Sequence, residues 1–326
     1  MNNSILMIHG SGGQATDDLI QTIFTRSFSN EMEDSAVVAG HQKLAVSTDS
    51  FVVTPLVFKN GDIGRLAVCG TVNDLLMRGA IPKYLTCGFI LEEGLSIDLL
   101  KKIVSSMAQA AKEAGVSIVA GDTKVIEGNG GMYINTAGIG FVDPKVDISA
   151  KKAQDGDIIL VSGNLGDHHA AILGDRLSIH SEIESDVAPL NTMVERLLES
   201  DVELHSMRDV TRGGLATVLK ELAENSQKTF HIYEKDIPVS RAVQDFCGLL
   251  GLDPLYMGNE GKCVCIVAKK DAQKALSILR HSPYGQNASI IGSVETDRPG
   301  QLLLHTDIGG IRRLSVLQTE GLPRIC

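Results

Sequence analysis

Apolar positions along the chain follow two periods. Between residues 97 and 114, Leu100, Ile103, Val104, Met107, Ala111 and Ala114 recur at spacings of three and four, behind Ser96 and ahead of Gly115. That is one helix face with a capping hydroxyl and a glycine stop. The same reading predicts helices over 63–77 (closed by Gly79), near 169–173, and over 192–199, 215–223 and 272–281. Apolar runs predict strands over 84–91, 116–120, 132–142, 157–162, 263–268, 289–294 and 302–305, with 44–48 and 51–53 strand-like on either side of Asp49. The start reads as strand (5–8), glycine loop (9–13) and helix, where Leu19, Ile20, Ile23, Phe24 and Phe28 recur. Residues 29–42 are polar and read as a linker; 143–156 are polar and turn-rich and mark a domain boundary. Strands and helices alternate in both halves, so the fold class is α/β (α+β), with two mixed domains. The expected division is 1–42, 43–148, 149–317 and a tail over 318–326.

Composition narrows the partners. Hydrophobic residues make up 43% of the 326 and charged residues 21%, the balance of a globular protein. The formal net charge is −10, there is no tryptophan and aromatics are 4%, which argues against a nucleic-acid groove or a base-stacking platform. No apolar run approaches the ~20 residues of a membrane span. The apolar stretch at 5–8 is too short for a signal peptide, and no Lys or Arg precedes Arg26. Six cysteines lack the dense pattern of a secreted scaffold, so we expect a cytoplasmic protein with reduced thiols.

The last residue is Cys326. It reads either as an incidental end or as a thiol nucleophile on a mobile arm, since 318–326 could span ~30 Å. Prenylation is excluded, because it needs the cysteine four from the end. Four acidic motifs form a second constellation: 47–50 with Asp49, Asn73-Asp74 beside Gly70, 121–124 with Asp122, and 209–214 with Asp209 ahead of Gly213-Gly214. The first and third are read as following strands, the last as opening a helix. Carboxylates so placed are hard-oxygen ligands suited to Mg²⁺, and a Gly-Gly helix start suits phosphate, so together they point to a metal-nucleotide site; each alone is more often a helix cap or turn. The sequence Gly10 to Ala15 fits a dinucleotide fingerprint, but the polar stretch after its helix supplies no second strand, and no Walker A loop is present. Asn259-Glu260-Gly261-Lys262 alone reads as a charged turn, Cys263 and Cys265 as core packing rather than zinc ligands, and His168-His169 as a helix start.

In this order the motifs resemble the HypE family of hydrogenase maturation factors, within the aminoimidazole-ribotide synthetase-like ATP-binding superfamily. The stretches that carry the resemblance are 9–13, 47–50, 70–75, 121–125, 209–214, 259–262 and the terminal Pro323-Arg324-Ile325-Cys326, nearly the whole length. His169, where a small residue is expected, and the short 29–42 segment depart from the pattern. The resemblance implies a homodimer joined through its N-terminal ATP-binding domains. It implies ATP and Mg²⁺ as cofactors, and as partners the carbamoyltransferase HypF and the HypC–HypD iron scaffold. It implies that a carbamoyl group on Cys326 is dehydrated to a thiocyanate, the source of the cyanide ligand of [NiFe]-hydrogenase. By the same resemblance, Cys326, Glu260 and Lys124 are catalytic. His9, Gly12, Gly13, Asp49, Asn73, Asp74, Asp122, Thr123, Asp209, Thr211 and Gly213 would bind ATP, and Asp49, Asp74, Asp122 and Asp209 would hold the metal. The rival readings are another ATP enzyme of the superfamily, which would not need Cys326, and a non-catalytic thiol carrier, which would not need the aspartates.

Overall fold

The computed structural model describes residues 4–10, 14–28 and 38–317. Gly12, Gly13 and Cys326 lie outside the described residues. A four-stranded sheet has the order β1 (Leu44–Phe51), β6 (Met132–Val142), β4 (Ala80–Glu92), β5 (Ser117–Ile126). Only β4 and β5 run parallel, and helix α4 (Ile97–Glu113) crosses between them. Helix α3 (Ile63–Leu76) follows a small hairpin of β2 (Val57–Phe58) and β3 (Gly61–Asp62). The Asp62 carboxylate accepts from the amides of Gly64 and Arg65 at 2.9 Å, closing the first turn of α3; Ser96 does the same for α4. Both helices pack on one face of the sheet, with α1 (Gln14–Leu19), a wide-turn segment Ile20–Thr25 and α2 (Arg26–Phe28) beside them.

The other face of this sheet carries Leu44, Val46, Ile90, Ile126 and Tyr133, all exposed, with Val46 at 71%. The register aligns Ser50, Asn135, Gly88 and Asp122 across the four strands. Side chains alternate faces along a strand. Asp122 and Lys124 therefore lie on the exposed face, whereas Asp49 and its neighbour Thr136 point toward α3.

A seven-stranded sheet forms the rest, in the order β13 (Ile311–Leu314), β12 (Leu302–His305), β9 (Thr229–Tyr233), β11 (Ser289–Glu295), β7 (Ile158–Val161), β10 (Cys263–Val267), β8 (Leu204–Asp209). Helix α7 (Gly214–Ser226) packs on one face over Phe230, Ile232, Val264 and Leu304. Helices α6 (Asn191–Glu199) and α9 (Ala272–Arg280) pack on the other, and their core is continuous with that of α3 and α4. Helices α5 (Asp167–Arg176) and α8 (Arg241–Leu250) form a flanking cluster.

Several expectations need correction. Residues 5–8 are not a strand: only Ser4 bridges, to Ser96, and Met7–Gly10 is a 3-10 turn. The strand about Asp49 is unbroken, and β5 runs on through Asp122 to Ile126, so these acidic motifs lie within strands, not in turns after them. The apolar run that predicts this strand ends at 120. The partner β4 carries the pairing on to Ile126. Strands β8, β9 and β13 and helix α8 were not expected. Leu204–Asp209 holds His205, Arg208 and Asp209, and is a strand because β10 pairs with it.

Candidate active site

Two carboxylates come from the first sheet and its helix. Asp49 sits on the inner face of β1, and Asp74 on α3 one turn beyond Gly70. A Cβ at Gly70 would lie 2.9 Å from the Phe51 ring and 3.7 Å from Asp49 Oδ2, so glycine is needed for helix and strand to approach this closely. The Ser47 hydroxyl donates to Asp74 Oδ2 at 2.7 Å. The Asp49 carboxylate accepts from the Ser50 amide at 2.8 Å. Burial, reinforced by the charge of Asp74, nonetheless raises its pKa above the usual aspartate value.

Two more come from the second sheet. Asp209 ends β8 and is pushed up to about 7 by burial and by the nearby charges of Asp74 and Asp49. Glu260, 4% exposed, is pushed well above the normal glutamate range by burial and then by Asp209, Asp186, Asp49 and Asp74. With Thr48, Lys151, Arg208, Thr211 and Arg212, these four acids line a cavity of about 440 Å³ between the two sheets. Such a volume takes a nucleotide-sized ligand in part. An apolar core has no use for four converging carboxylates, so their mutual repulsion marks a site for cationic or proton-transfer chemistry.

The loop that carries Glu260 is held from both sides. Its amide donates to Asp186 Oδ1 at 3.0 Å, and its carbonyl accepts from Asn73 Nδ2 and from the Ala188 amide, each at 3.4 Å. Lys262 Nζ lies 3.1 Å from Asp186 Oδ2, with both side chains under a tenth exposed. Asn73 also donates to the Ala188 carbonyl and accepts from the Leu190 amide, at 3.0 and 2.9 Å. The structure thus commits the Asn73 amide to joining α3 to the segment before α6, not to the cavity. Sequence reasoning missed Asp186. Its signal was faint: one acid in an irregular stretch, opposite the lone Lys262.

Other expected site residues fall into two groups. Thr211 lines the cavity, and Gly213 and Gly214 follow at the start of α7 with φ of +78° and +64°. A Cβ at Gly214 would sit 2.6 Å from the Leu255 carbonyl oxygen. Leu317, the last described residue, donates its amide to Thr217 Oγ1 in the first turn of α7, at 3.1 Å. Asp122, Thr123 and Lys124 are not brought to this cavity within one chain. They stand on β5, the far edge strand from β1, where Asp122 and Lys124 pair at 2.8 Å, both mostly exposed. His9 lies in the 3-10 turn packed along β5, and its Nδ1 accepts from the Leu6 amide at 3.0 Å.

Residues 32–142 match the family described as AIR synthase related protein, N-terminal domain, and residues 154–305 match its C-terminal domain. A carbamoyl dehydratase HypE from Azotobacter vinelandii is 45% identical, over 100% of this chain and 98% of that one. The chain belongs to the HypE family. A crystal structure of a HypE in complex with ATP superposes with a TM-score of 0.95 at 47% identity, covering 98% of this chain and 99% of that one. A HypE chain in a HypE–HypF complex gives a TM-score of 0.81 at 45% identity, covering 92% and 99%. The two mixed domains expected of a HypE-type fold are therefore present in this chain.

Proposed function

We propose that this HypE-family chain is an ATP-dependent carbamoyl dehydratase, which converts a carbamoyl group on the Cys326 sulfur to a thiocyanate during maturation of [NiFe]-hydrogenase. The observation that carries the reading is the gathering of Asp49, Asp74, Asp209 and Glu260 around one cavity, in a chain akin over its full length to carbamoyl dehydratases.

The chemistry explains why such a cavity is needed. The carbamoyl oxygen is a poor leaving group. Its attack on the γ-phosphorus of ATP releases ADP and leaves that oxygen as phosphate, which can depart. Two protons leave nitrogen as the carbon–oxygen bond breaks and the C≡N bond forms. Glu260, buried and with a raised pKa, has the proton affinity a general base requires, and takes one of them. Asp186 and Asn73 clamp the Glu260 backbone and so fix the loop from which that carboxylate projects.

The donor set fits Mg²⁺: three hard carboxylates, Asp49, Asp74 and Asp209, two of them raised in pKa by burial and mutual charge. Bound there, the ion would neutralise phosphate charge. Thr211 and the backbone at Gly213 would receive phosphate oxygens at the start of α7. Gly12 and Gly13 would close over the phosphates, and His9 would enter from the same segment.

Asp122, Thr123 and Lys124 serve this chemistry only from a second copy. The exposed apolar face of the first sheet supports a homodimer through that surface. The partner's β5 would then bring Asp122 as a ligand and Lys124 as a proton relay. Residues 43–148 would form the ATP-binding and dimerisation unit and 149–317 the other. The α7 end of the chain at Leu317 favours a reaction at Cys326: nine further residues reach ~30 Å. HypF would load the carbamoyl group, and the HypC–HypD complex would receive the cyano group. No described helix is long and apolar enough to cross a membrane, and we place the protein in the cytoplasm.

The test is Glu260→Gln. It should keep ATP binding and Cys326 loading while abolishing thiocyanate formation. A variant that still makes the cyano adduct removes Glu260 from the mechanism.

A further inference from the structure

The seven-stranded sheet carries a second group of convergent polar side chains, none of which lines the active-site cavity. The register sets Ser293 of β11 opposite His231 of β9, and Glu295 opposite Thr229. In the parallel pair β9–β12, His305 lies opposite Tyr233. His231, Glu295 and His305 therefore share a sheet face, the one opposite α7, and Asp297 turns back over them just after β11.

His231 Nε2 lies 3.3 Å from Asp297 Oδ1 and 3.7 Å from Glu295 Oε2. Ligand atoms of these three residues all fall within 4.8 Å of one another; no other His, Cys, Asp or Glu trio among the described residues comes so close. A tetrahedral zinc with bonds of about 2.0–2.1 Å sets its donors about 3.3–3.4 Å apart. The two spacings from His231 already approximate that edge; both carboxylates are about half exposed, and Asp297, which also meets Thr229 and Arg298, has solvent on one side into which it can shift.

The other nitrogen of the imidazole is also placed. His231 Nδ1 is 2.9 Å from His305 Nε2, so one of the two carries the shared proton. With that proton on Nδ1, the Nε2 lone pair faces the carboxylates. A second group that orients a histidine in this way is the usual support of a metal ligand. The His305 ring is held by stacking on Tyr233, with centroids 4.9 Å apart. Arg298 Nε approaches only the far oxygen of Asp297, at 3.7 Å, and leaves Oδ1 turned to His231.

From this geometry we infer that His231, Glu295 and Asp297 form a binding site for a divalent first-row metal of the zinc class, with His305 as a positioning residue. One imidazole and two carboxylates suit zinc, whereas Mg²⁺ prefers oxygen throughout. Two anionic donors match the charge of a dication, and three protein ligands leave a position for water.

The probe is zinc chloride titrated calorimetrically into the full chain carrying Cys326→Ser, which removes a competing thiol, with Mg²⁺ in excess to occupy the aspartate site. Cobalt chloride supplies visible ligand-field bands as a second readout. We expect one saturable equivalent per chain and a rise in melting temperature on adding zinc. Glu295→Gln with Asp297→Asn, both at exposed positions outside the core, should weaken zinc at least about tenfold, as loss of metal-site partners does, and remove the melting shift. His305→Gln should weaken zinc by about tenfold and alter the cobalt bands. In the chain with Cys326 intact, the carboxamide pair should leave ATP-dependent turnover unchanged. Zinc affinity unaltered in the carboxamide pair overturns the assignment, and so does the absence of saturable binding in the parent.

Discussion

Asp186 holds Glu260 in place: its Oδ1 accepts the Glu260 amide at 3.0 Å, while its Oδ2 pairs with the buried Lys262 at 3.1 Å. A carboxylate used twice in this way couples the stability of the domain to the geometry of the proposed base. Asp186→Ala leaves the Lys262 ammonium without its partner in a site under a tenth exposed. The expected loss is about 3–5 kcal/mol of folding free energy, read by urea denaturation, together with a fall in kcat. Asp186→Asn keeps an acceptor for the Glu260 amide and should recover part of kcat. Equal kcat in Asp186→Ala and wild type contradicts the positioning role.

Asp209→Asn separates function from stability. A carboxyl raised to about 7 in the fold, against an ordinary 3.8, binds its proton more tightly folded than unfolded. Its ionisation therefore costs stability as pH rises through about 4 to 7, and the cost is complete above that. The asparagine variant should be more stable than wild type by about 1–3 kcal/mol at pH 8, and by less at pH 5. It should also lose Mg²⁺-dependent ATP binding by at least about tenfold, measured calorimetrically. A variant that is destabilised at pH 8 and binds nucleotide normally would place Asp209 in the scaffold.

His169 gives the opposite sign. Burial, then the charges of His168 and Arg176, lower its pKa from 6.5 to about 4. Nδ1 accepts from the Gly258 amide at 3.4 Å and Nε2 is buried with no acceptor, so the ring stays neutral. The unfolded chain takes up the proton first, so stability present above pH 6.5 is lost as pH falls toward 4, by up to about 3 kcal/mol. His169→Gln should flatten that loss in denaturation curves at pH 7 and pH 5. An unchanged pH dependence excludes His169 as its source.

The fold was legible where one period dominates. Helix α4, with Leu100, Ile103 and Met107 on one face, lies within a residue of its expected bounds, and β6 matches at both ends. Strand β8 was hidden because its residues are chosen by cavity and partner: Asp209 faces the site and Arg208 pairs with Glu221. The motifs named the acids, but spacing along a chain says nothing of which sheet face each occupies. That is why Asp122 and Asp49, alike in sequence context, end on opposite faces. Asn73 was legible as important, but its joining of α3 to the segment before α6 was not, since its partners at Ala188 and Leu190 lie over a hundred residues away.

The opposite faces lead to a mixing experiment. If a second copy supplies Asp122, Asp49→Ala and Asp122→Ala are each inactive as homodimers. Once subunits exchange, half the dimers are mixed, and each has one intact site. Activity should return to about a quarter of wild type, as twofold symmetry requires. Val46→Glu in the otherwise wild-type chain, on the exposed face of β1, should yield monomers by sedimentation and lose activity. No recovery in the mixture, with exchange verified, means that Asp122 is not shared.

The central claim is that one sulfur carries the group while it is dehydrated. Intact-mass and peptide mass spectrometry, after incubation with carbamoyl phosphate, ATP and the loading enzyme, reads this directly. The account predicts a shift of about +43 Da on the peptide ending in Cys326, replaced by about +25 Da as ATP is consumed, consistent with CONH₂ and then CN in place of hydrogen. ATP consumption with no second shift, or the same shifts on a Cys326→Ser chain, contradicts it.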